Sequence, residues 1–265
     1  SLRTLQRCMH ETYMDCPYYE QLQYGGDSRI QELVSLFNAG DPRLLRNLLD
    51  QMDHSRQPEG ITQSRYPSVN PQIIPTYSMA YIWMLHDYMM YVDDPDFLRG
   101  KLPGARQVLD YFIRFTDEGG SLRNLPNWTF VDWSMGFMRG MSPVGSDGGS
   151  AVLDLHLLLT YQLAAEMEET LGMGDYVRLY RSRAEQLSET IRSRYWDDAG
   201  GRVADTVDKN VYSQHANALA ILTGLVQGEE ARRVALMIQD DASLTQATAV
   251  RRAPSRSALN LGKRR

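Results

Sequence analysis

Residues 77 to 92 read YSMAYIWMLHDYMMYV, and the apolar side chains in that run fall on nearly every face of a helix. A helix that meets water along one side keeps a polar stripe there. This run has only His86 and Asp87 to offer, so it is expected to be buried on all sides. The helical pattern that follows, carried by Ala105, Val108, Leu109, Phe112 and Thr116, has one apolar stripe and reads as a surface helix. The same pairing returns twice. AVLDLHLLLTYQLAA (151 to 165) precedes the stripe Val177, Tyr180, Ala184, Leu187 and Ile191, and VYSQHANALAILTGLV (211 to 226) precedes a helix from Glu229 to about Gln239. An inner helix followed by an outer one, repeated without a repeated motif, is what a barrel of helical hairpins requires, because each inner helix touches both neighbours and its own outer partner. The expected fold is all-α, an (α/α)6-type toroid of helical hairpins. An open α-solenoid would show a recognisable repeat of about 30 to 45 residues, and none is present.

Upstream, Ile30, Leu33, Val34 and Phe37 are spaced i, i+3, i+4, i+7 and mark one expected buried stripe. NAGDP (38 to 42) closes that helix and opens the next, with Asp41 as N-cap and Pro42 at the first helical position. Leu44, Leu45, Leu48, Leu49 and Met52 continue the pattern, and a further helix is expected over residues 3 to 14. Counted this way, the chain has fewer than the six hairpins of a closed barrel.

A length of 265 residues with 43% hydrophobic and 23% charged residues describes a globular protein. No apolar run approaches the roughly 20 residues of a membrane span, so no membrane helix is expected. SLRTLQRC at the start lacks the apolar run of a secretory signal. Cys8 and Cys16 are too few for a disulfide framework and lack zinc-site spacing, so both are expected as free thiols, with no metal and no cofactor. Six of the 28 Lys and Arg residues and none of the 33 acids lie in RRAPSRSALNLGKRR (251 to 265), which leaves residues 1 to 250 with a net charge of −11. A basic tail without aromatic residues, behind an acidic body that repels phosphate, does not read as a nucleic-acid arm. Two segments are expected: residues 1–250, a partial α/α-barrel, and residues 251–265, a basic tail.

The long connections, about 53 to 74, 117 to 150 and 196 to 210, are expected at one end of the barrel, and long loops inside a compact domain are commonly functional. NLPNWTFVDWSMGF (124 to 137) gathers Trp128, Phe130, Asp132 and Trp133, and SPVGSDGGS (142 to 150) breaks the chain again. Near the N-terminus MDCPYYEQLQYGGDSR (14 to 29) sets Asp15, Glu20 and Asp27 among Tyr18, Tyr19 and Tyr24. Flat rings beside carboxylates suit a sugar, whose apolar face stacks on a ring and whose hydroxyls donate to carboxylate oxygens. The plainer alternatives are loop tryptophans that pin loops to the domain, and Asp27 as the N-cap of a helix beginning at Ser28 or Arg29.

ETYMDCPYYEQLQYGGDSRI (11 to 30) resembles the motif of the inverting α-L-rhamnosidases, in which Asp-Cys-Pro is followed by an acid, an aromatic and Gly-Asp. NWTFVDW resembles that family's aromatic-acid loop, YSQHANALAIL one of its inner helices, and SLTQAT (243 to 248) the start of the next hairpin. The resemblance implies an (α/α)6 barrel and hydrolysis of terminal α-L-rhamnosides with inversion. It implies Glu20 as the general acid, with Asp15 and Asp27 on rhamnose hydroxyls. Tyr24 stands where many members have Trp, and Tyr19 where many have Arg. The expected substrate contacts are therefore Asp15, Tyr19, Tyr24, Asp27, Trp128, Asp132, Trp133 and His215. His215 also reads as a core histidine on an apolar helix.

Inverting hydrolysis needs one protonated carboxyl and a second carboxylate roughly 6.5 to 9.5 Å away to activate water. Tyr18, Tyr19 and Tyr24 are expected to lower the solvation of Glu20, and Asp15 and Asp27 to disfavour another charge near it. In the family the second carboxylate lies beyond the region SLTQAT resembles, where this sequence runs into AVRRAPSRSALNLGKRR without an acid. The sequence thus reads as a truncated catalytic domain, impaired alone and prone to form oligomers, with Asp132 and Asp147 as the first substitute bases to test. Other readings are a different hairpin-barrel glycosidase, such as a glucoamylase-like or unsaturated-uronyl hydrolase, and a non-catalytic helical scaffold. Compartment is unassigned, the resemblance allowing periplasmic, extracellular or cytoplasmic proteins.

Overall fold

The computed structural model describes residues 2–248; the expected domain boundary at 250 and the basic segment 251–265 lie outside the described residues. The run that opened the sequence reading forms helix α4, Pro75–Tyr91, with Pro75 in its first turn, where a missing N–H costs nothing. Met79, Tyr81, Ile82, Met84 and Leu85 are each at most 1% exposed. Full burial of such a side chain contributes about 1.5–3 kcal/mol, which makes this helix the centre of its unit.

The chain packs as two compact units, one made of Ser1–Arg114 with Leu163–Arg178 and the other of Phe115–Gln162 with Leu179–Arg265. The first contains α1 (Leu2–Cys8), α2 (Gly25–Ala39), α3 (Arg43–His54), α4 and α5 (Pro95–Ile113). As the patterns require, α3 buries Leu45, Leu48, Leu49 and Met52, and α5 buries Ala105, Val108, Leu109 and Phe112. Asp94 caps α5 by accepting the N–H of Phe97 at 3.3 Å.

Four sequence expectations are corrected in this unit. The first helix ends at Cys8 rather than continuing to residue 14, and a bridge between Met9 and Tyr13 turns the chain back. Tyr13 is fully buried, with its hydroxyl 2.6 Å from Ser35 Oγ. Helix α2 begins at Gly25, which puts Asp27 inside the first turn rather than at the N-cap, and α3 begins at Arg43, one residue later than NAGDP suggested. The largest difference is which face of α2 is inside. Gly25, Ser28, Glu32, Ser35 and Leu36 are buried, whereas Phe37 is 72% exposed and Ile30 37%. The face that packs is the narrow one. A Cβ on Gly26 would lie 2.5 Å from the Tyr77 ring, an approach that only glycine allows.

The second unit holds the start of α6 (Ala151–Thr170), most of α7 (Gly174–Tyr195), α8 (Gln214–Leu222), α9 (Gly228–Asp240) and a two-stranded hairpin, β1 (Trp196–Asp197) and β2 (Arg202–Val203). The hairpin, which the helical reading did not foresee, pairs Trp196 with Val203 and Asp197 with Arg202. Asn217 ties it to α8, its Oδ1 accepting Val203 N–H at 2.9 Å and its Nδ2 donating to Val203 O at 3.0 Å. Residues 151–158 of α6 are buried throughout, and α7 buries the predicted stripe at Val177, Tyr180, Ala184, Leu187 and Ile191. Asp154 of α6 anchors the preceding loop: it accepts Leu122 N–H at 2.7 Å and Tyr195 O–H at 3.1 Å, with Ser121 Oγ as a third donor. Burial pushes its carboxyl up to about 7. None of the described helices is long and apolar enough to cross a membrane.

Candidate functional site

In the first unit, residues 15 to 22 form a closed loop that carries Glu20. Asp15 makes both ends of the closure, its N–H donating to Leu22 O and its Oδ1 accepting Leu22 N–H, each at 2.9 Å. The loop winds around Cys16, whose Sγ accepts the Glu20 N–H at 3.3 Å. Backbone N–H groups of Gln21 and then Glu20 hold the Cys16 thiol below its ordinary range. Gln21 adopts φ +55° to complete the turn, with its side chain donating to Pro17 O at 3.0 Å. The cysteine of the motif is thus a free thiol that organises the acid loop.

Glu20 is exposed, and its Oε2 accepts the Tyr24 hydroxyl at 2.8 Å. The same phenol oxygen accepts Arg65 Nη1 at 2.6 Å, and the Arg65 guanidinium lies 5.4 Å from the centre of the Tyr24 ring. Burial, reinforced by the Glu20 bond, raises the Tyr24 phenol above its usual value, and Arg65 opposes that rise. Tyr18 and Tyr19 stack edge to face on each other, 77% and 88% exposed. They therefore do not wall Glu20 from water, as the sequence suggested; of the three tyrosines, only Tyr24 reaches it. Asp27 sits in the first turn of α2, where a carboxylate is favoured by the helix dipole.

In the second unit, the loop before α6 builds an aromatic cluster. Trp128 and Phe130 lie 5.2 Å apart, Trp128 and Trp133 5.9 Å, and Phe130 and Trp133 5.0 Å, all tilted or edge to face. Trp128 Nε1 donates to Arg139 O at 3.0 Å. Gly140, at φ +74°, lets the Phe130 ring approach to where a Cβ would be only 2.4 Å away. Trp133 leaves 66% of its surface open, a flat apolar face.

Asp132 behaves differently from the expectation. It is 4% exposed and its carboxylate meets four donors. Oδ1 accepts Thr248 Oγ1 at 2.6 Å, and Oδ2 accepts Thr248 N at 2.9 Å, His215 Nε2 at 2.8 Å and Ser134 Oγ at 3.0 Å. A carboxylate has about four acceptor sites; three donors converge on Oδ2 and one meets Oδ1, so protein donors take most of them. Despite burial, the His215 and Thr248 bonds hold its pKa far below the usual carboxylate range. His215 is itself 7% exposed, packed 4.7 Å from the Phe137 ring, with Nδ1 buried and without a partner. The segment SLTQAT is extended rather than helical. It pairs with the start of α8, Gln214 N–H donating to Thr245 O at 3.0 Å and Thr245 N–H to Tyr212 O at 2.9 Å. Asp147 is committed as well, its Oδ2 3.2 Å from Arg123 and its Oδ1 accepting Gly149 N–H at 3.0 Å. Among the described residues no group of His, Cys, Asp and Glu is placed to hold a metal ion.

Neither pattern nor motif singles out Arg65, Ser134 or Thr248 as site residues. Arg65 is 41 residues from Tyr24 and belongs to no motif. Its partner is set by the bridge between Tyr24 and Arg65, a tertiary pairing.

The family described as bacterial alpha-L-rhamnosidase 6 hairpin glycosidase domain matches residues 1–248. Among solved structures, a GH78 family rhamnosidase of Bacillus sp. GL1 superposes with a TM-score of 0.87 at 23% identity, over 99% of this chain and 28% of the other. A rhamnosidase from Klebsiella oxytoca with rhamnose bound gives 0.86 at 22% identity, over 99% of this chain and 50% of that one. A native α-L-rhamnosidase from Aspergillus terreus gives 0.76 at 16%, over 99% and 31%. The chain thus spans half or less of the length of these proteins. No curated protein matches it by sequence. The chain belongs to the bacterial α-L-rhamnosidase six-hairpin glycosidase domain family, and the all-α hairpin fold expected from its alternating inner and outer helices is the fold of these structures.

Proposed function

We propose that this domain is a glycoside hydrolase acting on terminal α-L-rhamnosides with inversion, and that Glu20 is its proton donor. The observation that carries the reading is the presentation of Glu20: an exposed carboxyl on a loop closed by Asp15, wound on Cys16 and tethered through one oxygen by Tyr24. An acid held by one oxygen keeps the other for the leaving group. Asp15 and Asp27 bind rhamnose hydroxyls; with Oδ1 of Asp15 committed to Leu22, a hydroxyl is bound through Oδ2. Tyr19, exposed, and Tyr24 contribute ring contact in the first unit, and in the second unit Trp133 with Trp128 offers a stacking face of its own. Asp132 and His215 support that face from beneath by fixing the backbone on which Trp133 stands, rather than touching the sugar.

The same geometry supports slow turnover by the 265-residue chain. Asp132 and Asp147, the substitute bases suggested by the sequence, are both held by protein donors, Asp132 by four and Asp147 by Arg123 and the Gly149 N–H. Loss of general base assistance costs about 10²- to 10⁴-fold in rate. The test is a panel of nitrophenyl glycosides, with the anomer first released from the rhamnoside read by proton NMR. Rhamnose is expected as the preferred product, in the inverted configuration, at a low rate that Glu20→Gln abolishes. Preferential release of another sugar would overturn the substrate assignment, and an active Glu20→Gln variant the assignment of the acid.

A further inference from the structure

The acid loop carries an arrangement that the rhamnosidase reading does not account for. Arg65, from the connection between α3 and α4, donates Nη1 to Tyr24 Oη at 2.6 Å, and Tyr24 donates its hydroxyl to Glu20 Oε2 at 2.8 Å. The connection is locked to the start of α2 by backbone bonds on either side, Gly25 N–H to Ser64 O at 2.9 Å and Tyr66 N–H to Gln23 O at 3.2 Å. Gln23 adds a third tie, its Nε2 donating to Tyr66 O at 2.8 Å. Two backbone–backbone bonds and one side-chain bond thus hold the connection against the start of α2, with the Arg65 guanidinium on the Tyr24 phenol.

We infer that Arg65 is a positioning residue for the proton donor, acting on Glu20 through the hydroxyl of Tyr24. This rests on the reading of Glu20 as the acid. A guanidinium is a permanent cation that only donates. By occupying an acceptor site of the phenol oxygen it leaves the phenol proton to be given to Glu20, and it polarises that O–H bond. Glu20 Oε2 is thereby fixed as an acceptor, so the proton of the acid form resides on Oε1. When that proton leaves for the glycosidic oxygen, the new carboxylate charge is met at once by a hydrogen bond backed by a cation. Such preorganised stabilisation of developing charge needs no rearrangement during the reaction. Tyr19, the neighbour of Glu20, is exposed to solvent, and the cation reaches the acid from residue 65.

The experiment uses the full chain labelled with 3-fluorotyrosine, whose more acidic phenol titrates within the range where the protein is folded. The fluorine signal of residue 24 is identified by its loss in Tyr24→Phe. Glu20→Gln is expected to lower the titration midpoint of Tyr24, and Arg65→Met to raise it; Arg65→Lys, which keeps a cation, is expected to return part of the way. In rhamnoside hydrolysis, Arg65→Met is expected to lower kcat about tenfold with KM changed less than twofold. A Tyr24 signal indifferent to both Glu20→Gln and Arg65→Met overturns the relay. If Arg65→Met does not fold, Arg65→Lys and Glu20→Gln decide it on the same signal. Failure of the hydrolase reading is separately visible: Tyr24 still responds to both neighbours, but Glu20→Gln leaves hydrolysis unchanged.

Discussion

Asp205→Asn tests whether the floor beneath α8 is held by a neutral carboxyl. Asp205 is fully buried; Oδ1 accepts Ser213 Oγ at 2.7 Å, and Oδ2 has no partner. Ser213 is the N-cap of α8, so the pair joins this carboxyl to the helix that carries His215. Burial pushes the pKa from 3.8 to about 7, with the Ser213 bond opposing the rise. The folded protein therefore holds a proton that the unfolded chain releases between about pH 4 and pH 7, and stability falls as pH rises through that window. A rise of about three pH units at about 1.4 kcal/mol each is worth about 4 kcal/mol. Asparagine keeps the acceptor for Ser213 and cannot ionise. The variant is expected to match the natural chain within about 1 kcal/mol at pH 4 and to exceed it by about 4 kcal/mol at pH 8. Urea unfolding followed by tryptophan fluorescence at each pH gives the difference, in which groups common to both chains cancel. A difference that stays flat from pH 4 to pH 8 would refute the neutral carboxyl and mean that Asp205 is ionised in the fold.

Three other substitutions have defined outcomes. Asp132→Asn replaces an acceptor of four donors by a group with one acceptor atom, and is expected to cost about 3 kcal/mol at pH 7. Because the folded pKa of Asp132 is depressed, its contribution is complete above about pH 4 and lost as pH falls, so the gap between the variant and the natural chain in urea melts should narrow toward pH 2. Glu32, fully buried with both oxygens unpartnered, is held well above the usual carboxylate range, first by burial and then by Asp87. Glu32→Gln should therefore gain on the natural chain as pH rises above the ordinary glutamate range of about 4.5, and a constant difference in melting temperature from pH 4 upward would sink the idea. Gly26→Ala separates packing from propensity: alanine in a helix is worth about 1 kcal/mol over glycine, but its Cβ would meet the Tyr77 ring at 2.5 Å, so a loss of about 1–3 kcal/mol is expected by thermal melting, and a gain would mean that the contact is slack.

Hydrophobic pattern alone identified α4, α6 and the outer helices α5 and α7, because helices surrounded by protein need apolar residues on every face and helices at the surface need them on one. Cys-Pro before Glu20 and Gly-Gly after it leave little room for regular structure, and Glu20 stands on a loop. Pattern failed on α2, where it chose Ile30, Leu33, Val34 and Phe37 as the buried side. Small polar residues gave no sign that theirs was the face to pack, because close approach to Tyr77 and the hydroxyl bond from Tyr13 to Ser35 are properties of neighbouring elements. Motif residues likewise named Asp132 as a sugar ligand, since a sequence shows which groups can accept a hydrogen bond and not which donors have already claimed them. Thr248 lies 116 residues away and His215 83. Residue types and their periodicity, which act within a few turns of chain, determined the helices and the chemistry on offer. The assignment of each carboxylate to catalysis, anchoring or burial was left to tertiary contacts, because solvation and hydrogen-bond partners are set by whatever the fold brings within about 3 Å.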